Sequence, residues 1–113
     1  MTCLFCNIVA GKIPASILFD NDEMMVFRDI DPQAPEHLLV IPKRHISTID
    51  DTTEEDDLLL GRMIRTAKEI ARKQGIDKSG YRLIFNVNAG GGQAVYHIHL
   101  HLLGGRQMIW PPG

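Results

Sequence analysis

The sequence predicts an α+β fold, an antiparallel sheet of about five strands with one long helix and one short N-terminal helix. Three observations carry that expectation. A single long segment, from about Thr53 to Gln74, repeats its apolar residues at helical spacing. Several short apolar runs are separated mostly by tight turn signals. The alternating βαβα pattern of a doubly wound sheet is missing.

Taken in chain order, Phe5 to Ala10 reads as a short helix closed by Gly11, with Pro14 barring its continuation. Ile17–Phe19 and Met24–Phe27 read as two strands joined by a turn at Asn21-Asp22. His37–Ile41 is a third strand, entered after Pro35 and closed by Pro42. The long helix follows, capped by Thr52 or Thr53, with Glu54, Glu55, Asp56 and Asp57 at its positive end. Arg72 and Lys73 sit at its negative end and Gly75 closes it. Its predicted buried stripe is Leu60, Met63, Ile64, Ala67, Ile70 and Ala71. Tyr81–Val87 and Tyr96–Leu103 are the last two strands, on either side of the glycine run Gly90-Gly91-Gly92. That run joins two strands, so it is neither a P-loop nor a Rossmann turn.

A chain of 113 residues with no repeat and no linker suits one domain, expected to span 1–113. Apolar residues at 44% and charged residues at 23% give an ordinary globular composition. The net charge of −2, without a Lys/Arg-rich block, argues against a nucleic-acid or anionic-membrane surface. An anionic ligand would have to be held locally. No apolar run reaches membrane-spanning length, and Met1 to Cys6 lacks the basic and apolar regions of a signal peptide. The expected location is therefore cytoplasmic.

The informative segment is His97-Ile98-His99-Leu100-His101-Leu102-Leu103. On a strand, His97, His99 and His101 project from one face, while Ile98, Leu100 and Leu102 pack into the core from the other. A merely solvated face gives no reason to choose histidine three times. Two chemistries suit the row: metal binding by all three imidazoles, or nucleophilic and acid–base catalysis beside an anion. The glycine run just upstream favours the second, because its backbone can approach a ligand closely and present N–H groups.

These residues match the His-φ-His-φ-His-φ-φ signature (φ apolar) of the histidine triad superfamily, and the flanks resemble its Hint branch of nucleotide-binding phosphoramidases. The resemblance runs through Phe27–Pro35, His37–Ile46, Gly91-Gly92-Gln93, Leu103–Met108 and Trp110–Gly113. It implies a HIT-like fold and a purine nucleotide ligand. His99 would attack the α-phosphorus and form a transient nucleotidyl-histidine that water hydrolyses. His101 and His37 would hold phosphate oxygens, with backbone N–H groups near Gly92 and Ala94. Asp29 would accept the ribose hydroxyls. Leu4, Phe5, Phe27 and Ile30 would wall the purine, and Asn86 falls at the family's active-site asparagine. The resemblance also implies a homodimer whose C-terminal segments reach the partner's site, giving Trp110 a role in substrate choice. Ala94 stands where many relatives carry serine, so one hydroxyl donor near the leaving group is missing.

Cys3-x-x-Cys6 is half of a tetrahedral zinc site, to which His45 could add a third ligand. In histidine triad proteins with this N-terminal pair, zinc is held by both cysteines and two histidines, here Cys3, Cys6, His45 and His97. A structural zinc is thus expected; the alternative is two reduced cysteines without metal. Two other functions stay open: a diadenosine polyphosphate hydrolase, and a nucleotide- or zinc-binding interaction module without turnover. The Trp-Pro-Pro-Gly ending counts against the first and the intact triad against the second.

Overall fold

The structure is a computed structural model that describes residues 3–113, so the first two residues of the expected 1–113 domain lie outside it. Among the described residues, seven elements are regular helix or strand: α1 (Leu4–Val9), β1 (Ile17–Asp20), β2 (Met24–Arg28), β3 (Glu36–Pro42), α2 (Asp57–Lys73), β4 (Tyr81–Ile84) and β5 (Leu100–Gly104). The strands form one antiparallel sheet in the order β1-β2-β3-β5-β4. The α+β expectation holds: five antiparallel strands, one long helix and one short N-terminal helix.

Both faces of the sheet are covered, which is why its central strands are apolar almost without interruption. Met24, Val26, Leu38, Val40, Leu100 and Leu102 pack against Met63, Ala67, Ile70 and Ala71 of α2. Met25, Phe27, Leu39 and Ile41 alternate onto the other face and pack against Phe5 and Ile8 of α1. Burying each of these larger side chains contributes about 1.5–3 kcal/mol. The two faces are therefore unequal. One carries a long helix; the other carries a single short helix and leaves room for a site.

The element boundaries differ from the sequence reading for physical reasons. The long helix begins later than Thr53: Thr53 caps a 3₁₀ turn over Glu54–Asp56, its N–H held by the Asp56 carboxylate at 3.0 Å. Ile64 is 47% exposed, and Leu59 takes its expected place in the buried stripe. The stripe thus runs through Leu59, Met63, Ala67, Ile70 and Ala71, with Leu60 half-buried against it, so Ile64 alone of the predicted face is exposed.

The last strand starts at Leu100 rather than Tyr96, because its partner β3 runs out at Pro42. The register Val40↔Leu100 sets Pro42 opposite Ile98, and proline has no N–H to continue the ladder. The Ile98 N–H turns instead to the Ile46 carbonyl at 2.8 Å. β4 stops at Ile84 for the matching reason, since the β5 ladder has nearly ended where Ile84 meets His101. No helix among the described residues is long and apolar enough to cross a membrane.

Candidate active site

The site lies on the α1 face, where the segment entering β5 passes beneath the N-terminal helix. His97 and His99 precede the hydrogen-bonded strand, yet their side chains keep strand-like alternation with Ile98 and Leu100. Phe5 of α1 meets both imidazoles edge to face, at centroid separations of 5.9 Å from His97 and 5.1 Å from His99. His97, His99 and His37 are buried and His101 is half-buried.

Backbone groups fix the proton on each ring, because a carbonyl only accepts and an N–H only donates. His97 Nε2 lies 2.8 Å from the Pro42 carbonyl, so Nε2 carries the hydrogen and Nδ1 keeps its lone pair. His99 Nδ1 lies 2.8 Å from the His97 carbonyl, so Nδ1 carries the hydrogen and Nε2 is the free base. The Gln33 N–H donates to His37 Nδ1 at 3.0 Å, which puts the hydrogen on Nε2 of that ring. His37 Nε2 then donates to His101 Nδ1 at 2.9 Å, leaving His101 with an N–H at Nε2. A lone pair on His99 thus stands beside a donor on His101, with ring centroids 4.9 Å apart.

The rings are held neutral. Burial pushes the pKa of His37, His97 and His99 below the usual histidine value. His101 falls to about 4, through burial first and then the neighbouring His99 and His37. Asp29 opposes part of that fall and lies 3.4 Å from His37 Nε2. Asp29, His37 and His101 converge closely enough to resemble a metal site. The Gln33 N–H argues against that use, since it fixes a hydrogen on His37 Nε2 where a metal would need a lone pair.

A cavity of about 390 Å³ opens in front of these rings. Phe5, Phe27 and Leu39 line it together with Leu4, Asp29, Ile30, Asn86, Gly92, Ala94, His99 and His101. Ile30 is a rim residue, 95% exposed, rather than a wall. Trp110 does not line the cavity and is 82% exposed. The expected cradle of N–H groups is narrower than the glycine run suggests. The Gly92 N–H donates to Ala89 and the Gln93 N–H to Asn88, closing a 3₁₀ turn at Ala89–Gly91. Among the described residues, the Ala94 N–H has no such partner.

Cys3, Cys6, His45 and His97 form a second cluster behind the triad. Cys3 Sγ and Cys6 Sγ lie 3.4 and 3.6 Å from His97 Nδ1. Cys6 Sγ lies 3.4 Å from His45 Nδ1, and the two Nδ1 atoms are 3.2 Å apart. A tetrahedral zinc with bonds of ~2.3 Å to sulfur and ~2.05 Å to nitrogen requires separations of ~3.6 Å and ~3.3 Å. The donor set and spacing therefore fit that ion. His97 is prepared for it, with its Nε2–H anchored on Pro42 and its Nδ1 lone pair facing the thiols. Cys3 also caps α1, its sulfur accepting the Cys6 N–H at 3.4 Å.

Residues 10–108 match the HIT domain. This chain belongs to the HIT family. It is 50% identical to the purine nucleoside phosphoramidase of Escherichia coli over 105 residues, covering 93% of this chain and 88% of that protein. A HIT family hydrolase from Legionella pneumophila superposes with a TM-score of 0.98 at 59% identity, covering 99% of this chain and all of that one. A zinc-bound histidine triad family protein from Mycobacterium smegmatis superposes with a TM-score of 0.80 at 32% identity, covering 94% of this chain and 76% of that one.

Two residues that hold this HIT site together have no role in the sequence reading. Gln93 is buried, and its side chain accepts from the Asn88 N–H while donating to the carbonyls of Ser47 and Val95. It pins the loop that presents Ala94. Gln33 acts on His37 through its backbone N–H, which no side-chain pattern reveals.

Proposed function

We propose that this chain hydrolyses purine nucleoside 5′-phosphoramidates through a covalent intermediate on His99. The observation that carries the reading is the complementary protonation of two adjacent rings, a lone pair at His99 Nε2 beside an N–H at His101 Nε2. His99 Nε2 attacks the α-phosphorus, the phosphorus–nitrogen bond breaks, and the amine departs with the bonding pair and a proton from solvent, which the water of the second step returns. Water then attacks the phosphorus, releasing the nucleoside monophosphate and restoring the neutral imidazole. The His101 N–H and the Ala94 N–H hold phosphoryl oxygens, and the His97 carbonyl stabilises the charge that His99 gains at Nδ1–H. His37 keeps His101 in its donor tautomer.

Asp29 is suited to the ribose hydroxyls, since the Asp31 N–H already orients one of its oxygens at 2.8 Å. Phe5, Phe27 and Leu39 supply an apolar slot for the base, with Leu4, Ile30 and Asn86 at its edges. The phosphoramidase name of the Escherichia coli relative supports this substrate class. Zinc at Cys3, Cys6, His45 and His97 would tie the N-terminus to the catalytic segment, and the zinc-bound Mycobacterium smegmatis relative favours it. A homodimer suits the open edge of β4 and the exposed Ile64, Ile109 and Trp110. Two free thiols suit the reducing cytoplasm. One sheet covered on both faces suits a single domain over 1–113.

The test is steady-state hydrolysis of an adenosine 5′-phosphoramidate by wild type and His99→Ala, both checked for folding. Strong turnover lost by several orders of magnitude in the variant is expected. Absent wild-type turnover with nucleotide still bound would overturn the reading in favour of a binding module. Faster turnover of a dinucleoside triphosphate would move it to the polyphosphate hydrolases.

A further inference from the structure

The hydrogen that His101 offers at Nε2 is set through two further groups, the His37 ring and the Gln33 N–H. Gln33 is exposed, in a loop from Ile30 to Pro35 that belongs to no helix or strand. A buried ring thus takes its hydrogen position from a surface peptide. Such a bond holds a ring only while its donor stays within about 2.7–3.2 Å. Whatever steadies that peptide therefore bears on His101.

Most of the loop's hydrogen bonds are local. The Asp31 N–H donates to the Asp29 carboxylate, and the Gln33 side chain donates to the Asp31 carbonyl. Among the described residues, one hydrogen bond reaches the loop from a distant part of the chain: Arg106 Nε donates to the Gln33 carbonyl at 3.0 Å. Arg106 lies just past the end of β5, the strand that carries His101. The β3–β5 ladder ends where Glu36 meets Gly104, yet the two segments stay in contact beyond it. A Cβ on Gly105 would lie 2.9 Å from Pro35 Cβ, and Gly105 has a φ of +89°, in the left-handed region. Only glycine lets the backbone lie against Pro35 there, and the next residue reaches Gln33.

His101, His37, the Gln33 peptide and Arg106 thus form a circuit that leaves β5 and returns to its end. We infer that Arg106 is a positioning residue for the triad. It holds the Gln33 peptide so that its N–H keeps His37, and through it His101, in the donor arrangement. The role uses contacts within one chain and needs no open surface, so it stands whether or not a second copy covers this face. The inference rests on the phosphoramidase reading, which requires the His101 donor, and adds a residue to it.

The experiment compares Arg106→Met, which keeps length and removes every donor, with Arg106→Lys, which keeps one. Three quantities are read on the intact protein: exchange of the Gln33 amide hydrogen, the ¹⁵N shift of His37 Nδ1, and the single-turnover rate on an adenosine 5′-phosphoramidate. Arg106→Met should speed the exchange and lower the rate, each by on the order of tenfold, as expected for losing one bond from a charged donor. The His37 Nδ1 shift should move towards that of an unpartnered lone pair. Arg106→Lys should recover part of each change. His99 rests on the His97 carbonyl, outside the circuit, and should keep its Nδ1–H tautomer in both variants. Arg82→Met frees the Ile109 carbonyl instead and should leave Gln33 exchange as in wild type. Gln33→Pro deletes the N–H without touching Arg106, and should give the same His37 shift and the same loss of rate.

Unchanged exchange and an unchanged His37 shift in Arg106→Met overturn the inference. So does a wild-type rate in Arg106→Met or Gln33→Pro once the His37 shift has moved, because the circuit then ends short of the chemistry. A changed tautomer at His99, or faster Gln33 exchange in Arg82→Met, marks general loosening and overturns it too. Should wild type leave the phosphoramidate uncleaved, the phosphoramidase reading fails, and exchange and shift alone still decide whether Arg106 holds the rings.

Discussion

The carbonyl oxygen of His97 lies 2.8 Å from Nδ1 of His99, while the His97 ring points its own Nδ1 into the thiol cluster. One residue thus joins the two centres, side chain to one and backbone to the other. Direct spectroscopy can test the proton placement this implies. In ¹⁵N-labelled protein near pH 7, His99 should show the Nδ1–H tautomer, and His37, His97 and His101 the Nε2–H tautomer. Finding His99 protonated at Nε2 would contradict its assignment as a free base facing the cavity.

Zinc content is the second prediction. Protein purified without chelator should carry about one zinc per chain. Cys3→Ser, Cys6→Ser and His45→Ala should each lower that content. A strong chelator should reduce Tm by on the order of 5 °C or more, with faster amide exchange in α1. Metal analysis near zero in reduced, zinc-supplemented protein would refute the assignment.

Stability should depend on pH through the buried rings. The folded-state pKa of His101 is about 4, below the ordinary histidine value, and His37 and His99 are lowered too. The unfolded chain therefore takes up protons first as pH falls. Stability should be full above about pH 6.5 and decline steadily towards pH 4. Urea unfolding at pH 7.5, 6.5 and 5.5 checks this above the carboxylate range. His101→Gln should flatten the slope.

Ala94→Ser adds, at an exposed position on the cavity wall, the hydroxyl donor that the sequence resemblance leads one to expect. One added hydrogen bond to the substrate is worth about 1 kcal/mol. The expected result is a gain of up to about fivefold in kcat/KM, with little change in Tm. A loss of activity would show that the loop has no room for the group.

Gln93→Ala removes a buried side chain that makes three backbone hydrogen bonds, to Asn88 and Val95 of its own loop and to Ser47 beside it. It should cost about 2–3 kcal/mol of stability and at least tenfold in kcat, because the Ala94 N–H loses its support. Gln93→Glu should be worse, since two carbonyls would then face a carboxylate. Chemical denaturation with parallel kinetics measures both.

Much of this could be read from the chain itself. The amphipathic periodicity of α2 and the alternation across β5 are consequences of local geometry, so they appear in the sequence with no partner in view. The histidine spacing placed three imidazoles on one side, and the structure keeps them there even where the ladder has ended. The tautomers were not legible, because they depend on carbonyls of Pro42 and His97 and on the N–H of Gln33, and backbone groups are the same at every position. The glycine run suggested more donors than it offers for a related reason: the N–H groups of Gly91 and Gly92 close a turn, which composition does not disclose.

Cys3 and His97 stand 94 positions apart, yet their side chains belong to a single cluster. A ribosome working at 5–20 residues per second needs roughly 5–20 s to travel that interval. For all of that time one partner of the two thiols has not been made. Whatever the cluster finally holds, the nascent chain passes through an interval in which its cysteines are open to oxidants and to the wrong metals. Cells that keep newly made thiols reduced would therefore determine how much of this protein reaches its finished form.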